Sequence, residues 1–112
     1  SKNNSAYVST KFAMNGLTQS LAKELGHRGI RVNAVCPVLI KTDGLITALE
    51  EKDSPGFPDP IKFIDKFRLN QSALGRLPTG EEVAKFVYYL ASNNASAITG
   101  QCVNIDCGVF PQ

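Results

Sequence analysis

Early in the chain the apolar positions Ala6, Ala13, Leu17, Leu21 and Leu25 recur largely at steps of four, with Phe12 and Met14 flanking them. This spacing predicts one amphipathic helix over residues 5–25, with those residues as its apolar stripe. The pattern stops at Gly26-His27-Arg28-Gly29, where two flexible residues and two cations suit a helix C-terminus, and His27 reads as a capping side chain. Ile30-Arg31-Val32-Asn33-Ala34-Val35-Cys36 is short, β-branched, apolar on both faces and ended by Pro37, which predicts a buried strand of a parallel sheet. Residues 43–74 hold Gly44, Pro55, Gly56, Pro58 and Pro60, then a helical stripe of Ile61, Ile64 and Phe67. A long insertion with short helices of its own is expected there, of the kind that covers a site as a lid.

Thr79 and Glu82 form a T-x-x-E capping box ahead of Val83, Phe86, Val87 and Leu90, so a second long helix starts near Gly80 and runs out at Ser92-Asn93-Asn94. Cys102-Val103-Asn104-Ile105 reads as a last short strand ended by Asp106 and Gly108. Helix, strand, lid, helix, strand is the alternation of a layered α/β fold with a parallel sheet. Two strands can neither shield a sheet's edges nor cover both faces of the first helix, so a partner sheet is expected.

Composition narrows the function classes. The 112 residues are 43% apolar and 20% charged, within the range of one small globular domain. Twelve basic and ten acidic residues leave a net charge of +2 with no basic block, which gives no footprint for nucleic acid or an acidic membrane. No run approaches the roughly 18 apolar residues of a membrane span, and the polar start Ser1-Lys2-Asn3-Asn4 is unlike a signal peptide. A soluble, cytoplasmic protein is expected. Cys36, Cys102 and Cys107 are odd in number and lack paired spacing, and together with one histidine they offer no metal-ligand cluster. Cys36 and Cys102 fall in apolar runs and read as small buried side chains.

The candidate chemistry lies on the first helix. Tyr7 and Lys11 stand four residues apart, so they share a face and can approach one ligand. A phenol near pKa 10 is a poor acid-base catalyst at neutral pH, and a nearby ammonium favours the phenolate and lowers that value. Such a tyrosine can exchange a proton with a carbonyl or alcohol oxygen. The lysine can donate hydrogen bonds to ribose hydroxyls.

Ser5-Ala6-Tyr7-Val8-Ser9-Thr10-Lys11, the stretch Gly29–Pro37, Gly75-Arg76 ahead of Glu81-Glu82-Val83-Ala84, and Ile98-Thr99-Gly100-Gln101 with Asp106 and Gly108 together resemble the short-chain dehydrogenase/reductase family in order and spacing. The resemblance covers essentially the whole chain. It implies the C-terminal half of a Rossmann-like, doubly wound parallel sheet, with residues 43–74 as a helical substrate lid. It implies an oxidoreductase that interconverts a carbonyl and a secondary alcohol with NAD or NADP, Tyr7 being the general acid/base and Lys11 binding the nicotinamide ribose. The segment Pro37, Val38, Ile40 and Thr42 matches the positions that run along the nicotinamide. Thr42 can equally cap the next helix, and Arg31 and Asn33 read as structural, holding strand and loop. Relatives are dimers or tetramers, so a homo-oligomer is implied.

Three departures accompany the matches. Pro37-Val38 stands where the family has Pro-Gly, which removes backbone freedom beside the cofactor. Asp106-Cys107-Gly108 stands where it has Asp-Gly-Gly, a change expected to be tolerated. No glycine-rich pyrophosphate turn occurs, and only six residues precede Tyr7, too few to include the family's catalytic serine. The chain, which starts without Met, is therefore expected to be the C-terminal part of a single oxidoreductase domain, with the nucleotide-binding half absent. The alternative is a non-catalytic fragment or degenerate relative that serves self-association. Substrate identity and the choice between NAD and NADP are not encoded in these residues.

Overall fold

The structure, a computed structural model, describes residues 4–111, with the side chains of Asn4 and Tyr7 outside the described set. Its elements are α1 (Asn4–Leu25), β1 (Ala34–Pro37), α2 (Asp43–Leu49), α3 (Pro60–Gln71), α4 (Gly80–Ala91) and β2 (Cys102–Ile105). The fold is α/β, with β1 and β2 paired in a parallel two-stranded sheet. The chain folds as two compact units: one runs to Cys36 and resumes over Phe86–Val103, and the other comprises Pro37–Lys85 and the chain from Asn104. Among the described residues no helix is long and apolar enough to cross a membrane.

In the first unit α1 forms where the spacing predicts it, but only the last part of its apolar stripe turns inward, Leu21 and Leu25 being half-buried. Ala6, Ala13 and Leu17 are exposed, as are Phe12 at 73% and Met14 at 51%. The inward row is Lys11, Asn15, Thr18, Ala22 and Leu25, with Thr18 and Ala22 buried. The reason is close approach. A Cβ placed on Gly100 would stand 3.4 Å from that of Ala22, at van der Waals contact, so α1 approaches the chain at Gly100 closely here. Thr18 tolerates burial because its hydroxyl donates to the Met14 carbonyl one turn back, at 2.7 Å. α1 ends in a 3-10 turn at Gly26–Arg28 that holds His27, exposed, and closes on Gly29 in the left-handed region at φ 72°.

The strand expected from Ile30 begins only at Ala34, and its residues are half-buried rather than buried. Before it, one backbone bond, from Gly100 N–H to the Val32 carbonyl at 2.7 Å, is joined by side-chain bonds. Arg31 donates to the carbonyls of Ser92 (3.2 Å) and Ile98 (3.3 Å). The Val32 N–H goes to Thr99 Oγ1, and both ends of the Asn33 amide are used, Nδ2 donating to the Ile98 carbonyl (3.0 Å) and Oδ1 accepting from Gln101 N–H (3.1 Å). Regular pairing resumes where Ala34 N–H reaches the Gln101 carbonyl at 2.8 Å. Arg31 and Asn33 thus hold strand to loop. Among the described residues Cys36, Cys102 and Cys107 are free thiols, and they are half-buried rather than buried.

In the second unit the insertion carries two helices that pack together, α2 and α3. Asp59 caps α3 by accepting from Lys62 N–H, with Pro60 in the first turn where no amide hydrogen is needed. Leu49 and Ile64 are buried here, and Ser54 Oγ donates to the last-turn carbonyl of α2 at Leu49. β2 spans the residues expected of it, and Asp106, buried, closes the following turn by accepting from Gly108 N–H and Phe110 N–H, each at 2.9 Å.

Candidate functional site

The backbone of α1 sets Tyr7 one helical turn before Lys11 and on the same row, the geometry by which two side chains can share a ligand. Lys11 is half-buried and begins the inward row of the helix. The phenol of Tyr7 lies outside the described residues. The other expected site residues belong to the second unit and its approach: Pro37 ends β1, and Val38 and Ile40 follow it, all half-buried.

Val38 has no left-handed backbone, since Cys107 is the one non-glycine residue among the described ones with positive φ. A β-branched side chain therefore fits this position without backbone strain, although the family places glycine there. Thr42 performs the capping role open to it: its Oγ1 accepts from Leu45 N–H at 3.1 Å at the start of α2. Its hydroxyl hydrogen remains free to donate, so capping does not consume the group.

The insertion's apolar residues divide by position. Leu49 is buried and would stand within 3 Å of a Cβ on Gly56, so it packs the insertion on itself. Ile61 and Ile64 instead line a groove of about 390 Å³ together with Ile40, Lys41, Asp65, Arg68 and Leu77–Gly80. A second groove, of about 520 Å³, lies in the first unit between Arg31, Asn33 and Val35 and the α4 residues Val87, Leu90 and Ala91.

The start of α4 carries an arrangement whose outer part the sequence did not disclose. The capping box forms in full, Glu82 N–H donating to Thr79 Oγ1 (3.1 Å) and Thr79 N–H to Glu82 Oε1 (3.0 Å). Arg76 then grips the same carboxylate with both terminal nitrogens, at 2.7 and 2.8 Å. Gly75-Arg76 was visible as a motif, but only the fold shows that the arginine reaches six residues ahead.

The Arg76 hydrogen bond, followed by that from Thr79 N–H, holds the Glu82 carboxyl well below its ordinary 4.5, at about 2, while the guanidinium's own pKa is pushed further up by Glu82. A carboxyl depressed by folding stabilises the folded state above its unfolded pKa. That contribution is lost as pH falls from about 4.5 through about 2. The stability difference between wild type and Glu82→Gln, read by urea unfolding, should accordingly be flat above about pH 5 and shrink steadily below it. Because the pair is exposed, added salt should reduce the difference at neutral pH. A difference that stayed constant down to pH 2.5 would show that the charge of Glu82 is not what matters.

A family model described as Enoyl-(Acyl carrier protein) reductase matches residues 1–110. The chain is 38% identical over 107 residues to dehydrogenase/reductase SDR family member 6 of Rattus norvegicus, a match that covers 96% of this chain and 41% of that protein. This chain belongs to the short-chain dehydrogenase/reductase family. It is also 40% identical over 106 residues to an L-2,3-butanediol dehydrogenase of Corynebacterium glutamicum, covering 95% of this chain and 41% of that one. Among solved structures, a C-terminal deletion mutant of Thermoplasma acidophilum aldohexose dehydrogenase superposes with a TM-score of 0.80 at 38% identity, over 96% of this chain and 46% of the other. The short-chain dehydrogenase/reductase described here thus spans about two fifths of the length of the curated relatives it matches, and corresponds to their C-terminal portion. The relatives named are a dehydrogenase/reductase, an L-2,3-butanediol dehydrogenase and an aldohexose dehydrogenase. Among the described residues of this family member, no group of three or more His, Cys, Asp or Glu side chains is placed to hold a metal ion.

Proposed function

We propose that residues 1–112 form the C-terminal half of a Rossmann-like NAD(P)-dependent oxidoreductase domain, with residues 43–74 as its substrate lid, that interconverts a carbonyl and a secondary alcohol. The observation that carries this reading is the Tyr7/Lys11 pair, one turn apart on α1, in a chain that matches the family from end to end. When bound, the nicotinamide supplies or accepts the hydride. Tyr7 holds and moves the proton at the substrate oxygen, donating it in reduction and taking it in oxidation. Lys11 lies half-buried on the same row, where a cation favours the phenolate and can also donate to ribose hydroxyls. The site segment accommodates such a group: Pro37, Val38 and Ile40 offer a half-buried, largely apolar strip, and Thr42 retains a donor hydrogen at its end. The catalytic serine and the pyrophosphate turn of the family belong to the half that precedes this chain in the relatives.

The alternative, a self-association module, is favoured by one feature: Val8 and Phe12, one turn apart on α1, are both exposed. An apolar face of this kind marks a contact surface, and it suits a homo-oligomeric oxidoreductase equally well. Titration of NADH and NADPH, followed by nicotinamide fluorescence, separates the readings. A polypeptide joining residues 1–112 to a nucleotide-binding half should bind one of the two saturably. Lys11→Met should weaken that binding about tenfold, the size of one charge-assisted contact. Absence of saturable binding would overturn the oxidoreductase reading and leave association as the function.

A further inference from the structure

The groove in the second unit has branched aliphatic walls, supplied by Ile40, Ile61, Ile64 and Leu77, and a volume within the range of small-molecule sites. Three charged side chains also line it: Lys41, Asp65 and Arg68. Two of them cancel. Arg68 Nε donates to Asp65 Oδ1 at 3.1 Å from one turn further along α3, and a second Arg68 nitrogen donates to the Gly75 carbonyl at 3.1 Å. Lys41 is exposed and has no ion pair or hydrogen bond among the described residues. The groove therefore combines an apolar wall with a single uncompensated positive charge.

We propose that this groove holds the part of the substrate remote from the reacting carbonyl, and that this part is aliphatic and ends in a carboxylate paired with Lys41. The inference rests on the oxidoreductase reading, because Ile40 is shared between the groove and the segment that runs along the nicotinamide. Complementarity argues for the carboxylate. A cationic end would face Lys41 with nothing to pair it, since the Asp65 carboxylate is already engaged. A wholly apolar ligand would leave the ammonium without a partner and gain nothing from it. The long, flexible lysine stem also lies readily along an aliphatic chain while its charged head stays in water.

Decanoate and decanol test this directly, because they share one chain and differ in the terminal group. With the complete polypeptide, isothermal titration should show decanoate binding at least fivefold more tightly than decanol, and the Ile61 and Ile64 methyl resonances should shift on saturation. Lys41→Met should bring decanoate to the level of decanol and leave decanol unchanged, while Lys41→Arg should keep most of the preference. Lys41 is exposed, so neither variant removes core packing, and circular dichroism checks that both fold. Equal binding of the two probes, no binding, a preference that survives Lys41→Met, or shifts confined to other methyl groups would each overturn the proposal. If neutral carbonyls were turned over with NAD(P)H while decanoate showed no preference, the inference would fall and the oxidoreductase reading would stand. Decanoate preference without any nicotinamide binding would overturn the substrate role and the reading beneath it together.

Discussion

Replacing Tyr7 by phenylalanine in the complete oxidoreductase is expected to lower kcat by about 10³-fold, within the range that a positioned general acid or base contributes, with little change in cofactor affinity. Phenylalanine keeps the ring and removes only the exchangeable proton, so an effect on kcat alone would identify proton transfer as the lost step. Lys11 provides the companion measurement. On the proposed reading its cation, one turn away on α1, would favour the phenolate. In the direction of alcohol oxidation the rate rises as the tyrosine deprotonates. Removal of the cation in Lys11→Met should therefore displace the alkaline-rising limb of the pH profile towards the ordinary phenol value near 10, and should also raise the cofactor KM. Lys11→Arg keeps the charge but not the compact ammonium, so it should preserve the position of the limb better than the affinity. Turnover by Tyr7→Phe at the wild-type rate would remove the acid-base assignment. A limb unmoved in Lys11→Met would show that the lysine serves binding alone.

The sequence made the elements legible wherever a local rule sufficed. T-x-x-E located the start of α4 because the capping box is a contact between residues three apart, and β2 stood out because it is short and bounded by Asp106 and Gly108. The Pro- and Gly-rich stretch before Ile61 marked an insertion with helices of its own, though not which of its apolar residues face the groove. Rules fell short where long-range contact decides. Hydrophobicity selected Leu17 as part of the working stripe of α1, whereas the inward row is set by the close approach of Ala22 to Gly100, and includes Thr18 and Asn15. Val32 and Asn33 have strand-like neighbours, yet the Val32 N–H is taken by the Thr99 hydroxyl and Asn33 bonds through its amide side chain, so the strand starts late. Tyr7 and Lys11 stand out by their spacing, but the roles proposed for them rest on the resemblance to the family. Pro37, Val38, Ile40 and Thr42 were identifiable only by resemblance, because nothing in their side chains announces a cofactor. The clamp of Arg76 on Glu82 required the loop geometry itself.

The turn after β2 should show the largest effect on stability, and of opposite character at neighbouring positions. Cys107 and Gly108 both adopt left-handed backbone, at φ 54° and 81°. The carbonyl of Cys107 receives Leu74 N–H and the hydroxyl of buried Ser72, each at 3.1 Å, which fixes the turn against the end of the insertion. Gly108 has no room for a side chain, since a Cβ there would stand 2.5 Å from that of Ala73. Gly108→Ala thus incurs a left-handed penalty and an overlap, together about 3 kcal/mol of destabilisation. Cys107→Gly removes a similar left-handed penalty but gives the unfolded chain more freedom, so it should change stability by less than about 1 kcal/mol. Cys107→Val keeps the φ and adds β-branching, and should cost more than cysteine does. The double variant Ala73→Gly, Gly108→Ala separates the two causes: urea unfolding should recover the part due to overlap and leave the part due to φ. If Gly108→Ala alone cost under about 0.5 kcal/mol, the close approach to Ala73 would be wrong. The family's second glycine at this turn would then have to be explained by something other than backbone conformation, for Cys107 shows that a side chain can occupy the left-handed region when two hydrogen bonds to its carbonyl hold it there.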